Sequence, residues 1–418
     1  MEGPEVHLAR YCGDSVTEAD SGRNSEPTSR LATGLKAQAR ELGFSLCGIT
    51  TADATDHMAF YRGWIDEGRH GEMGYLARED SLSRRADLKT TLKNVRSVVV
   101  VAHEYFVPDP EGVPGDPSRG VIARYARGDD YHDVVKKKLL TLARWVEAQS
   151  PGVQGRAYVD TGPILERDLA RRAGIGWFGR NTMLINPSRG SYFFLGTLLL
   201  DIDLPADEPF EEDRCGTCSA CLDACPTGAL MGRDGSGAPV MDATRCISYL
   251  TIELRGAIPV ELRPLMGNRV YGCDICQEVC PFTSKFSSPV SSSSEYAARP
   301  ELDGPPLLEL TSRILSMSGK GYARAFADSP LSRPRRNGML RNLCVALGNW
   351  GDPSAVGTLG RALSDPSALV RSHAAWALRE VGTEDALELL RLRAESESDP
   401  LVLGELGGAP SGAESSET

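Results

Sequence analysis

Cysteine is the residue type that first points to chemistry in this chain of 418 residues: eight of its eleven cysteines fall between Cys215 and Cys280. Cys215-x2-Cys218-x2-Cys221-x3-Cys225-Pro226 has the form of a bacterial ferredoxin run, and Cys273-x2-Cys276-x3-Cys280-Pro281 repeats it with one member missing. Two-residue gaps let a tight loop aim three thiolates at three irons of one cubane. The cysteine before proline sits on the next turn and points toward the other cluster. Cys215, Cys218, Cys221 and Cys280 are therefore assigned to one [4Fe–4S] cluster. Cys225, Cys273 and Cys276 go to a second, with Cys246 as the fourth ligand. Two all-cysteine zinc sites are the alternative, and the Cys-Pro form of the runs favours iron–sulfur. A disulfide framework suits small secreted domains rather than a chain of this length. Cys12, Cys47 and Cys344 lie outside the runs and read as apolar residues.

A ferredoxin module only moves electrons, so bond chemistry needs residues elsewhere. The chain has no Gly-x-Gly-x-x-Gly, no Walker A loop and no His-Glu-x-x-His. Polar residues concentrate in residues 123–132, in 158–167 and in 174–181. Asp160 stands at the end of an expected strand, before a Gly-Pro turn, which is a common address for an active-site carboxylate. In a closed pocket its pKa is expected to rise, so that it can deliver a proton near neutral pH. The plainer reading is a capping Asp for a helix over 164–172, and position alone leaves both open.

The elements that must position these residues follow from periodicity. A helix is expected over 31–42 and strands over 44–50, 95–102, 120–127, 157–159 and 190–200. An amphipathic helix is expected over 132–149, with Leu139, Leu142 and Val146 on one side. Residues 31–205 thus form one α+β domain, 206–290 the ferredoxin-type domain, and 291–336 a connector. Residues 337–393 repeat: Ala346, Leu347, Gly351, Ala355 and Leu359 recur as Ala377, Leu378, Gly382, Ala386 and Leu390, the pattern of HEAT-like helical pairs. Residues 1–30 and 394–418 read as disordered tails. The fold class is α+β multidomain, with an all-α C-terminal region.

At these motifs the chain resembles the epoxyqueuosine reductases. The resemblance rests on VDTGPILER, GIGWFGRN, the first cysteine run, RCISYLT and GNRVYGCDICQEVCP in that order, and spans roughly residues 31–393. It implies an oxidoreductase that uses cobalamin, fed singly with electrons by two [4Fe–4S] clusters, to remove the epoxide oxygen of epoxyqueuosine at the tRNA wobble position, giving queuosine. It implies Asp160 as proton donor. It also places Arg85, Arg124, Tyr131, His132, Arg167, Arg180, Asn181, Ser191 and Ser248 around the corrin or substrate, and makes Cys246 a cluster ligand. Many relatives carry Lys where this chain has Arg180; the charge is kept, although the two hydrogen-bond differently.

A tRNA partner demands basic surface. The net charge of −11 opposes this only superficially. Residues 1–30 hold six acids and three bases, and 395–418 six acids and no base, leaving the body near neutral. Arg333, Arg335, Arg336 and Arg341 at the head of the repeats are the expected contacts with the anticodon stem-loop. An external electron donor is required. Neither a signal peptide nor an apolar run long enough for a bilayer is evident, so a cytoplasmic monomer is expected. The competing functions are a reductive dehalogenase-like cobalamin enzyme and a non-catalytic electron carrier.

Overall fold

The computed structural model describes residues 25–113 and 115–407. Cys12 and the outer parts of both expected tails lie outside those residues. The N-terminal α+β region is built on one four-stranded antiparallel sheet. Its strands are β1 (Leu46–Thr51), β2 (Ser97–Glu104), β3 (Gly155–Tyr158) and β4 (Phe193–Leu200), in the order β1-β2-β4-β3. The Val98–Val101 run of β2 is wholly buried because it lies centrally, with helices on both faces. The helix Tyr131–Gln149 covers one face through Val135, Leu139, Leu142 and Val146. The short helix Glu166–Arg172 covers the other through Leu169 and Ala170. Burying two such apolar faces is the main stabilising contribution to this region.

Three expectations about boundaries change. The first helix begins at Ser25 rather than 31. The strand expected over 120–127 shrinks to Val121–Ile122, paired in parallel with Arg269–Tyr271, and then tightens into the one-turn helix Arg124–Ala126. This short pairing ties the α+β region to the cysteine-bearing one. The 291–336 connector contains helices Leu307–Leu315 and Gly319–Ala325, whose Leu307, Leu310, Ile314 and Tyr322 join the core of the repeats.

In the repeats, helices Arg335–Trp350 and Ala368–Val381 pack closely, with Leu343, Leu347, Cys344 and Trp376 fully buried between them. Each ends on a glycine of the recurring pattern, Gly351 at φ +67° and Gly382 at φ +64°, which is the left-handed stop that a side chain resists. The expected tail from 394 is not all unstructured. Pro400–Leu406 is a helix capped by Asp399, with Val402 buried, and it completes the stack. No helix of the described residues is long and apolar enough to cross a membrane.

Candidate active site

Asp160 follows β3 directly and adopts φ +54°, a left-handed backbone that is rare for a non-glycine residue. Glu166, in the first turn of its helix, holds that conformation: both of its carboxylate oxygens accept the Asp160 backbone N–H at 3.1 Å. Gly162 is needed in the same turn, because a Cβ there would stand 2.2 Å from the Tyr158 ring. The Asp160 carboxylate accepts a hydrogen bond from the Tyr131 hydroxyl at 2.9 Å and meets His132 Nε2 at 3.3 Å. His132 Nδ1 lies 2.7 Å from Asp130, which also caps the helix that carries Tyr131 and His132. Tyr131 stacks face to face on Phe194 of β4 at 4.2 Å, so the sheet fixes the hydroxyl.

The electrostatics reverse one expectation. Asp160 is 54% accessible, opening onto a cavity. Its burial pushes the pKa up, but the hydrogen bond and charge of His132, helped by Tyr131, pull it down to about 2. In this state Asp160 is ionised, and its protons sit on its neighbours. Burial, reinforced by the Asp160 charge, raises Glu166 to about 8. Burial opposes the charge on His132, but Asp130 and Asp160 together raise it to about 9. Glu166 is quoted in the motif that carries the resemblance, yet its role is invisible in sequence. It arises only once the left-handed turn folds the backbone of residue 160 back onto it.

The cavity has a volume of about 350 Å3. Asp160, Glu166 and Arg167 line it, and so do Cys225, Cys246, Cys273 and Cys276. Leu184, Phe193, Leu195 and Leu230 supply apolar surface. Tyr131, Asn181, Ser191 and Ser248 also line it, and His132 reaches it through Asp160. Asn181 is anchored to the Cys276 carbonyl at 3.1 Å, and the Ser191 hydroxyl donates to Gln277 at 3.0 Å.

Three arginines expected around a cofactor do not line this cavity. Arg124 is buried in a cage of Asp109, Asp274 and Glu278, so its donors are spent on tying the second cysteine run to the α+β region. Arg85 is buried over the Tyr61 ring at 5.3 Å and donates to Ser81 O. Arg180 donates to Gly216 O, at 2.7 Å, within the first cysteine loop.

The cysteines fall into two neighbourhoods. Cys221 feels the charges of Cys215, Cys218 and Cys280. Cys276 feels Cys273 and Cys246 ahead of Cys221, which links the two neighbourhoods, and Cys246 feels Cys225. Cys218 is exposed, Cys280 is buried, and Trp177 Nε1 donates to Cys215 at 3.4 Å. Burial raises the Cys221 thiol to about 11 and the Cys273 thiol to about 12, so loading a metal centre must displace protons. Among the described residues no three His, Cys, Asp or Glu side chains converge as ligands of a single metal ion would. The spacing of the runs therefore remains the identifying feature.

The arginines at the head of the repeats divide. Arg341, expected at a nucleic-acid surface, is fully buried and donates to Leu250 O, Leu254 O and Gly256 O. Arg336 pairs with Asp365 at 2.7 Å and donates to the carbonyls of Leu315 and Met317, closing a helix junction. Only Arg333 and Arg335 remain at the surface, Arg333 in an ion pair with Glu253 at 2.9 Å and Arg335 exposed at φ +60°.

Three family models match successive parts of the chain. The family model described as "Epoxyqueuosine reductase QueG, DUF1730" matches residues 85–161, the 4Fe-4S double cluster binding domain matches 214–283, and HEAT repeats match 338–407. An epoxyqueuosine reductase of Pseudomonas aeruginosa is 42% identical over 360 residues, covering 85% of this chain and 95% of the relative. That of Escherichia coli is 39% identical over 364 residues, covering 85% and 91%. Among solved structures, an epoxyqueuosine reductase with an epoxyqueuosine-modified tRNA stem loop superposes with a TM-score of 0.81 at 32% identity, covering 91% of this chain and 97% of that one. The Bacillus subtilis enzyme, with its catalytic loop swung out of the active site, gives 0.80 at 31%, covering 91% and 98%.

Proposed function

The chain belongs to the epoxyqueuosine reductase family and is an oxidoreductase of that activity; from this we propose that the cavity lined by Asp160 and the cysteines is where cobalamin and the epoxide meet. The observation that carries the reading is the shared lining of one cavity: four thiols of the double-cluster domain, and an ionised carboxylate with its proton-bearing neighbours. A group held there is within reach of an electron source and a proton source at once. The lining fits a macrocycle with an amide periphery. Leu184, Phe193, Leu195 and Leu230 offer apolar surface to a ring, and Ser248, Asn181 and Arg167 offer polar partners to its amides.

When bound, cobalamin supplies the strongly reducing metal needed to open the epoxide C–O bond. We assign Cys215, Cys218, Cys221 and Cys280 to one [4Fe–4S] cluster, and Cys225, Cys246, Cys273 and Cys276 to the second, which faces the cavity. The exposed Cys218 marks the side on which an external donor delivers electrons. Removing the epoxide oxygen as water while restoring the alkene consumes two electrons and two protons. Tyr131 and His132 orient the Asp160 carboxylate toward the cavity, and Asp160 passes protons from His132 to the oxygen that leaves. Glu166 fixes the turn that presents it.

A tRNA carrying epoxyqueuosine is the substrate in this reading. The supporting solved relative holds such a stem loop, and single-stranded loops let a base be splayed into a pocket at small cost. Anaerobic reconstitution with iron, sulfide, cobalamin and epoxyqueuosine-containing tRNA, read by mass spectrometry of the released nucleosides, tests the proposal. Queuosine forms only when both cofactors are loaded. Conversion by protein that holds clusters but no cobalamin refutes the cofactor assignment.

A further inference from the structure

Tyr75 leaves 42% of its surface exposed. A single exposed ring is ordinary on a protein surface, but this one is held rigidly and in unusual company. It lies in the one-turn helix Gly74–Leu76, pinned from one side by the Tyr61 hydroxyl, which donates to Leu76 O at 3.2 Å. From the other side, the Glu72 N–H donates to the Tyr249 hydroxyl at 2.9 Å, and the Glu72 carboxylate accepts the Arg255 N–H at 2.7 Å. Trp64, earlier in the segment, donates to the carbonyl of Met241 on the cavity wall at 2.6 Å. Gly71 permits this close docking: at φ +55°, a Cβ would stand 2.4 Å from the Tyr249 hydroxyl. The segment is therefore fastened to the rim of the active-site cavity.

Two arginines, Arg333 and Arg85, interact electrostatically with the Tyr75 side chain. Arg333 interacts electrostatically with Tyr75, Asp160 and Tyr131 together, and its ion pair with Glu253 leaves it 34% exposed. Arg255 donates to the Arg333 carbonyl at 2.8 Å. Arg78, three residues after Tyr75, is 65% exposed and only 3.7 Å from its partner Asp80. An exposed ring on a fastened segment, with a guanidinium beside it, is the combination that holds a single-stranded nucleotide. The π-face stacks on a base of any sequence, and the cation neutralises the adjoining phosphate.

We propose that Tyr75 is the stacking platform for a nucleotide of the anticodon loop, with Arg333 on its phosphate, so that the modified wobble base is delivered from this rim to Asp160. The proposal rests on the tRNA reading above and adds the contact that positions the substrate. It is tested with an anticodon stem-loop RNA carrying 2-aminopurine beside the wobble nucleotide, titrated anaerobically with the cofactor-loaded enzyme. Wild-type protein binds the stem-loop and quenches the fluorophore by stacking. Tyr75→Phe keeps both effects. Tyr75→Leu, with melting temperature and cluster absorbance unchanged, binds roughly tenfold more weakly and loses the quench. On full tRNA the loss appears in KM, with kcat nearly kept. Wild-type binding without quenching at either flanking position overturns the platform whatever the variants do, as does a folded Tyr75→Leu that behaves like wild type. Failure of wild-type protein to bind the stem-loop at all instead overturns the underlying tRNA reading.

Discussion

Charged side chains are drawn out of water in two regions of this molecule, with opposite outcomes. In the repeats and against them each buried cation meets a carboxylate or a set of carbonyls, although Arg263 Nη1 and Arg379 Nε are left without a hydrogen-bond partner. Arg341 meets three carbonyls, Arg371 meets both oxygens of Glu397 at 2.8 and 3.0 Å, and Arg263 and Arg379 converge on Glu405. At Asp160, by contrast, the carboxylate is half open to the cavity on a left-handed backbone, and a neighbouring carboxyl is kept protonated near neutral pH. Charges paired with a fixed partner fasten elements together, whereas like-charged groups that share protons at a cavity mouth hold protons that can move. Substitutions should therefore cost stability in the first region and turnover in the second.

The largest expected effect is on turnover. Asp160→Asn keeps the left-handed turn, which Asn tolerates well, but removes the titrating group. We expect kcat/KM for epoxyqueuosine tRNA to fall by about 10^2 to 10^4 with little change in the melting temperature. A loss of stability of the same order as the loss of activity would erase the contrast between the two regions.

Next comes Arg341→Met, which leaves the carbonyls of Leu250, Leu254 and Gly256 without their donor. Urea unfolding should show a loss of about 2–4 kcal/mol, since each abandoned buried acceptor carries its own desolvation cost. The tRNA affinity of the protein that remains folded should be unchanged, because this guanidinium never reaches the surface.

A pH effect of intermediate size belongs to the catalytic mouth. The folded state keeps a proton on Glu166 up to about 8, against an ordinary value of 4.5. The native protein thus binds more protons through that window, and stability falls as pH rises across it. His132, held at about 9 against 6.5, acts in the same direction: its contribution is complete below 6.5 and lost as pH rises through about 9. Denaturant midpoints followed across both windows should therefore decline. Glu166→Gln should flatten the lower part of the decline, and His132→Asn the upper part.

The smallest effect is expected at the edge of the repeats. Arg371→Lys keeps the charge opposite Glu397 but loses the two-pronged contact. The cost in unfolding free energy should stay below about 1 kcal/mol, as for other partly exposed pairs.

Residue type and spacing revealed what depends on short-range order. The cysteine runs, Asp160 at the end of a strand, and the glycines that stop two repeat helices all announce themselves within a few residues. What sequence hid depends on distant partners. Arg341 and Arg124 look like surface cations until carbonyls from 250–256 and carboxylates from 109 and 274 close over them. Glu166 looks like a routine first-turn acid until the backbone of Asp160 turns back upon it. The 394–407 stretch, acidic and short of aromatics, resembles a tail. Its helix forms because Asp399 and Pro400 start it and its Val402 finds a buried place in the stack.

That final helix matters to the way the chain is made. Glu405 is the carboxylate for Arg263, which is 2% exposed, and for Arg379. On a ribosome both cations are synthesised before this carboxylate and must wait for it. A message truncated between codons 379 and 405 would yield a product with two guanidinium groups facing a gap, a target for quality control rather than a working enzyme.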